Sequence, residues 1–344
     1  MIRRKLSTGG TLEVACATNA AFLPHCATML RSLLDQDDGA ARIHLLHGEE
    51  MAPGPLDRLS EMVNDGGGQL VRHRIERDRL RGVERFAPMP TWYRFLLPEL
   101  LPDLDRVLYL DCDTVVTDSL LPLWRTDLSR HSVAAVSTVF PWPEWGARHC
   151  DALGIRDPER YFNAGLMLMN LRWLRNEGHP NAVFEYALAH GDRGWFMELP
   201  DGDEASFRDY LVAHPERMIF ADQDAVNALL AKSRLVLHPR WNCTNQLIQS
   251  PFSVGVFGER EREEAIRNPA VRHFEGGTRP MPWAPGADAE DRALYWSYRN
   301  RTPWAAPEHP GTTALSASTS GNGAGGSDGA AAGARPKPSS GRTP

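Results

Sequence analysis

The chain reads as an α/β protein built on a doubly wound, largely parallel sheet. Over roughly the first 120 residues, short apolar runs alternate with stretches of helical periodicity, the pattern of successive βαβ units. One of those runs, Asp105 to Asp118 (DRVLYLDCDTVVTD), ends in two carboxylates, Asp111 and Asp113. An open α/β sheet binds its ligands at that point, beyond the carboxyl ends of its strands. The length of 344 residues, 42% hydrophobic and 24% charged, allows one large domain of this class or two small ones.

Taken in order, TLEVACAT is the first strand. LPHCATMLRSLLDQ follows as a helix with Leu23, Cys26, Leu30, Leu33 and Leu34 near one face. RIHLLHGE is a second strand, PLDRLSEMVNDGGG a helix whose glycines suit a C-terminal stop, and QLVRHRI a third strand. TWYRFLLPELLPDL begins helical, is interrupted by Pro98 and Pro102, and delivers the chain to RVLYLDCD. YFNAGLMLMNLRWLRNEG passes from strand to helix, and ADQDAVNALLAK starts a helix with acids where its dipole favours them.

Residues 190–217 are irregular and acidic and read as an insertion or lid. From Ala305 onward there is no aromatic residue, and Leu315 is the one large aliphatic side chain. Such a segment cannot bury enough apolar surface to offset its ordering entropy, so residues 305–344 are predicted to be a disordered tail. With residues 1–10 predicted flexible, the folded domain spans 11–304. Near its end, DRALYWSYRNRTPW gathers Tyr295, Trp296 and Tyr298. That segment has three uses open to it, core docking, cover for a cleft or contact with a membrane surface, and core docking is the default.

A net charge of −6 gives no electrostatic reason to expect a nucleic-acid partner. The five cysteines carry no CxxC spacing, fit neither a disulfide framework nor a zinc site, and read as reduced, buried thiols of a cytoplasmic protein. No stretch approaches the roughly 18–20 apolar residues that span a bilayer, so no integral membrane segment is predicted.

Asp111 and Asp113 occupy i and i+2 of a strand end, so they point the same way while Cys112 turns to the other face and packs. Converged carboxylates repel unless a cation lies between them, and a hard divalent ion would leave sites open for phosphate oxygens. On residue types alone this run is also compatible with a solvated turn. It fits, too, the DxDxT nucleophile of a haloacid-dehalogenase-type phosphatase using DCDT. That phosphatase reading needs a later acidic pair, and its nearest candidate, GDEASFRD, has Phe207 where the second aspartate belongs.

Three further stretches bear on the choice: YFNAGLMLMN with Asn163, FADQDAVN with Asp222, Gln223 and Asp224, and VRHFEGGTRPMPW with His273, Gly276, Gly277 and Arg279. From about Glu13 to Trp283 the chain resembles glycosyltransferase family 8, the retaining galactosyl- and glucosyltransferases related to lipopolysaccharide transferases and glycogenin. The resemblance implies a GT-A type, Rossmann-like fold with a mixed, mostly parallel sheet. It implies Mn²⁺, with Mg²⁺ as the other candidate, bound by Asp111, Asp113 and His273. Arg279 stands where the family has a lysine on the diphosphate, and Gly276 would let the backbone approach phosphate closely.

Arg94 matches the arginine that reaches the donor sugar, and Asn163, beside Ala164, matches the asparagine near it. Asp222 and Gln223 match the residues that hold sugar hydroxyls and sit beneath the anomeric carbon, with Asp224 the adjacent acid; helix capping is the bland role for all three. Cys112 falls within the donor-binding stretch. Where the family ends its first strand in an acidic, tyrosine-containing segment, this chain has Ala17, Thr18, Asn19 and Ala20. Asn19 survives, and the backbone of Ala17 and Thr18 remains to pair with the base. The implied activity is retaining transfer of glucose or galactose from a UDP-sugar to a hydroxyl acceptor, giving an α-glycoside. That acceptor is a glycan, a lipid-linked sugar or a small-molecule scaffold. A catalytically silent nucleotide-sugar-binding protein is the remaining alternative. The carboxamide at Gln223 is a poor nucleophile and favours same-face attack over double displacement.

Overall fold

The computed structural model describes residues 11–36, 41–190, 204–275 and 279–305. The reading of residues 1–10 as flexible, residues 306–344 of the predicted 305–344 tail, residues 191–203 of the 190–217 lid and Gly276 lie outside these residues.

Nine strands are described: β1 (Leu12–Thr18), β2 (Ala41–Gly48), β3 (Gln69–Ile75), β4 (Val107–Leu110), β5 (Thr114–Val116), β6 (Val133–Ala135), β7 (Leu166–Met169), β8 (Arg234–Val236) and β9 (Val271–His273). Seven of them form one sheet in the order β3-β2-β1-β4-β7-β6-β8. β1 runs parallel to β2 and β4, β2 to β3, and β6 to β8. β7 runs antiparallel between β4 and β6 and makes the sheet mixed. All seven residues of β1 are buried, as expected of a central parallel strand covered on both faces. Alternate residues serve opposite sides: Leu12, Val14 and Cys16 join one apolar cluster, Ala15 and Ala17 the other.

Helix α1 (Leu23–Gln36) buries Leu23, Cys26, Leu30, Leu33 and Leu34 against the first cluster, beside α2 (Pro53–Asp65). Each such leucine withdrawn from water contributes about 1.5–3 kcal/mol. The proline-interrupted stretch becomes α3 (Met89–Tyr93), a tight turn over Arg94–Leu96 and a further helical turn, Leu97–Leu100, with Pro98 in its first turn, where a missing N–H costs nothing. Helix α4 (Pro143–Ala152) joins a cluster with Tyr161, Leu211 and Ile219, and α5 (Asp222–Leu230) packs on the far half of the sheet.

β5 and β9 form a separate two-stranded antiparallel pair. Helix α6 (Ala289–Arg299) follows β9 and docks on α1: Tyr295 is buried, its hydroxyl 2.7 Å from His25 Nδ1, and Trp283 lies over the His25 ring with centroids 3.7 Å apart. Core docking is therefore the observed role of this aromatic segment. Among the described residues, no helix is long and apolar enough to cross a membrane.

Candidate active site

The site is assembled where β4 stops. Asp111 is held by three contacts: its N–H donates to the Gly165 carbonyl at 2.8 Å, Tyr109 Oη donates to its Oδ1 at 2.9 Å, and Arg94 Nη2 lies 3.1 Å from that same oxygen. The β5–β9 register pairs Thr114 with His273, and Phe274 N donates to the Asp113 carbonyl at 2.9 Å. This pairing carries the imidazole across the sequence to the acids, with His273 Nε2 3.2 Å from Asp113 Oδ1. Ligand atoms of Asp111, Asp113 and His273 all fall within 4.8 Å of one another. Gly165 makes the convergence feasible by presenting no side chain to the His273 ring.

Two carboxylates and one imidazole are a donor set suited to a divalent cation of the Mg²⁺–Mn²⁺ kind, the imidazole tilting it toward the transition metal. The electrostatics agree with a site built for positive charge. Burial on its own would lower the His273 pKa, but Asp113, helped by Glu275 and Asp111, outweighs it and raises the group to about 9. For Asp113, burial opposes ionisation and His273 more than reverses this, so its pKa is lowered.

A cleft of about 200 Å³ opens beside the acids. It is lined by Ala17, Thr18 and Asn19 at the end of β1, by Phe22, by Pro88, Pro90, Thr91 and Arg94, and by Tyr109 with Asp111 to Asp113. Asn19 uses its Oδ1 to accept from Phe22 N at 3.0 Å, so its side chain caps the turn into α1. Cys112 lies in the turn between β4 and β5 and points inward, donating from Sγ to the Ala17 carbonyl at 3.1 Å beside the Cys16–Cys26 thiol pair. All five cysteines are buried and free.

Across the cleft, Arg94 is buried over the Tyr109 ring and donates to the Ala164 carbonyl at 2.6 Å; its Nη2 is 3.7 Å from Asp222 Oδ2. Gln223 Oε1 accepts from Ala164 N at 2.9 Å. The Ala164 peptide is thus gripped from both sides. Burial drives the Asp222 carboxyl up to about 7 despite Arg94. Ala221, just before it, sits at φ 47°, ψ −102°, a strained conformation for a residue with a Cβ. Strain of this kind collects where geometry is held for function.

Two of the residues read from sequence lie elsewhere. Asp224 is fully buried behind the cleft, 2.8 Å from His149 Nε2, accepting from Tyr161 Oη at 2.5 Å and from Phe220 N at 2.9 Å. Its oxygens are occupied by the fold, so the structure gives it a packing role where the sequence suggests a catalytic one. A side chain two positions along a helix from Asp222 points about 200° away, which is the physical reason. Arg279 is paired with Asp288 Oδ2 at 3.1 Å and Asp291 Oδ2 at 3.2 Å and does not line the cleft. Asn163 spends its amide on protein partners: Gly165 N donates to its Oδ1 at 2.9 Å, and its Nδ2 donates to Glu275 at 3.0 Å. Sequence reasoning missed Phe22, Tyr109, Gly165, Asn242 and Glu275. Of these, Phe22 had a signal, an aromatic residue three positions after Asn19 in a segment lacking its expected tyrosine.

Residues 13–203 match the family model described as glycosyl transferase family 8. The chain belongs to glycosyltransferase family 8. This family 8 chain is 29% identical over 309 residues to general stress protein A of Bacillus subtilis, covering 85% of this chain and 93% of that one. It is 21% identical over 306 residues to the lipopolysaccharide 1,3-galactosyltransferase of Salmonella typhimurium, covering 87% of this chain and 80% of the other. A crystal structure of the galactosyltransferase LgtC in complex with donor and acceptor sugar analogs superposes with a TM-score of 0.64 at 21% identity, over 86% of this chain and 98% of LgtC. The family 8 glycosyltransferase thus has the GT-A fold implied by its motifs.

Proposed function

We propose that this glycosyltransferase moves glucose or galactose from a UDP-sugar to a hydroxyl acceptor with retention of configuration, with Mn²⁺ held by Asp111, Asp113 and His273. The observation that carries the reading is the β5–β9 pairing, which brings an imidazole to two strand-end acids at the rim of a cleft. The bound cation supplies neutralisation of the charge that develops on a departing diphosphate, the dominant contribution in such transfers.

The protein's own groups then have distinct tasks. Arg94 and Tyr109 hold Asp111 in place from one side, leaving its second oxygen for the ion. The backbone of Ala17 and Thr18, on the cleft wall, meets the donor's base. Phe22, 41% exposed on the cleft wall, is the aromatic platform for the base in place of the tyrosine absent at Ala20. Asp222 meets the sugar hydroxyls. Gln223, tethered to Ala164 N and 3.3 Å from Tyr161 Oη, offers an oriented carboxamide beneath the anomeric carbon. Being a poor nucleophile, it supports same-face attack, in which the leaving phosphate receives the acceptor's proton. The sugar analogs bound by LgtC and the galactosyltransferase activity named for the Salmonella relative support a hexose donor and a sugar-like acceptor. Five free thiols support a reducing, cytoplasmic setting.

The test is nucleoside-diphosphate release across a panel of sugar donors with and without Mn²⁺. Mn²⁺-dependent UDP release from UDP-glucose or UDP-galactose is expected, and Asp113→Asn should abolish it while circular dichroism stays unchanged. Full activity in that variant rejects the metal assignment, and Mn²⁺-dependent binding without turnover of any donor rejects catalysis.

A further inference from the structure

Behind the three proposed ligands runs a chain of buried hydrogen bonds whose direction is forced. Gly165 N is a backbone donor and points at one atom of the Asn163 amide, 2.9 Å away, so that atom is the oxygen. The other Asn163 atom is then the NH₂, which faces Glu275 Oε2 at 3.0 Å. Asn242 also reaches Asn163 Oδ1, at 2.8 Å, and must present its own NH₂ there. Its oxygen is left for His273 Nδ1, 2.9 Å away. An oxygen at that place can only accept, so Nδ1 carries the proton. Nε2, on the opposite side of the ring and turned toward Asp113, is the nitrogen left to a cation. Glu275 is fixed in turn by Gln246 N, which donates to its Oε1 at 3.2 Å. Asn163, Asn242 and His273 are all more than nine-tenths buried, so water does not compete for these bonds.

From this we infer that Asn242, Asn163 and Glu275 are positioning residues that set the tautomer and ring angle of His273 for cation binding. Metal-bound histidines ordinarily donate their second N–H directly to a carboxylate or carbonyl. Here two carboxamides stand between the imidazole and the negative charge, each link polarising the next. Asn163 on this view serves the metal face of the site through its amide. The inference rests on the proposed cation role of His273 and adds residues that touch neither cation nor donor.

The test uses the full-length, metal-free protein. Mn²⁺ is titrated calorimetrically, and the His273 Nδ1 proton is followed by ¹H–¹⁵N NMR before any metal is added. Wild type should show a protected Nδ1 proton. Asn242→Ala should lose it and bind Mn²⁺ roughly 10–100-fold more weakly, the usual cost of removing such a partner. Asn242→Asp, which restores an acceptor for the Nδ1 proton but sets an oxygen against Asn163 Oδ1 where the amide donated, should recover the proton and not the full affinity. Glu275→Gln, at the partly exposed end of the chain, should weaken Mn²⁺ several-fold and serves as the test if Asn242→Ala fails to fold. Equal Mn²⁺ affinity in wild type and in the folded variants overturns the relay while leaving the cation site standing. A protected proton in a wild-type protein that binds no Mn²⁺ overturns the cation reading, and the relay with it.

Discussion

Gly165 and His273 meet so closely that a Cβ on the glycine would stand 2.3 Å from the imidazole Cε1 and 2.9 Å from Asp111 Oδ2. Neither neighbour is free to retreat, since the imidazole is bonded on both nitrogens and Asp111 is held by Tyr109 and Arg94. A methyl group here would push a proposed ligand out of place, and overpacking of this kind costs about 1–3 kcal/mol. Because 1.4 kcal/mol is tenfold in binding, Gly165→Ala should weaken Mn²⁺ by roughly 5- to 100-fold in a calorimetric titration. Undiminished affinity would mean that the ring has room the geometry does not show.

Phe22→Ala should weaken UDP binding roughly tenfold, since stacking a base on an aromatic ring is worth about 1–3 kcal/mol. Phe22→Trp should restore it. Fluorescence titration with UDP in excess Mn²⁺ reads both, and an alanine variant that binds as wild type does would remove Phe22 from the base site.

Asp224→Ala tests whether that acid serves the fold or the chemistry. It leaves His149, Tyr161 and the Phe220 amide without their shared acceptor, and breaking a buried pair of this kind costs on the order of 3–5 kcal/mol. The melting temperature should fall by several degrees. At a temperature where the variant is still folded, activity per folded molecule should remain within a few-fold of wild type. A variant that keeps its melting temperature and loses turnover would restore the catalytic reading.

The pH dependence of stability should carry the mark of His149. Both its nitrogens face acceptors, Asp224 Oδ1 at 2.8 Å and the Pro215 carbonyl at 2.9 Å, which demands two protons. Burial works against the charge, but Asp224 overrides it and the pKa is raised. The other titratable neighbours are neutral in this range: burial raises Tyr161 well above its ordinary value and Cys150 to about 12. A histidine whose folded pKa exceeds its unfolded one stabilises fully below about pH 6.5 and loses that contribution as pH rises through the folded value. The melting-temperature gap between wild type and His149→Gln should therefore be widest in mild acid and shrink toward alkaline pH. A gap independent of pH would show that His149 is neutral in the fold.

The first three strands and the helices between them were legible because each is long enough to show its period. QLVRHRI and LPHCATMLRSLLDQ coincide with β3 and α1 at both ends. The direction of β7 was not readable from LMLM itself, since a strand buried on both faces has the same composition whichever way it runs. Nor were β5 and β9, three residues each and paired across more than 150 positions, too short to have a period. At the site, Asp111, Asp113 and His273 were visible as motif residues, whereas Asn242 and Glu275 act through side-chain hydrogen bonds that leave no pattern along the chain. For Asp224 adjacency to Gln223 in sequence does not show which way the side chain faces, and two positions along the helix from Asp222 it lies on another face of the same turn.

The pairing of β5 with β9 also bears on biosynthesis. Asp111 and Asp113 leave the ribosome long before His273, and nothing holds the third ligand until a strand from late in the chain closes on an early one. A nascent or truncated chain ending before residue 271 would carry the acid pair without its imidazole. Acquisition of full cation affinity would then report, during translation, that the two ends of the domain have met.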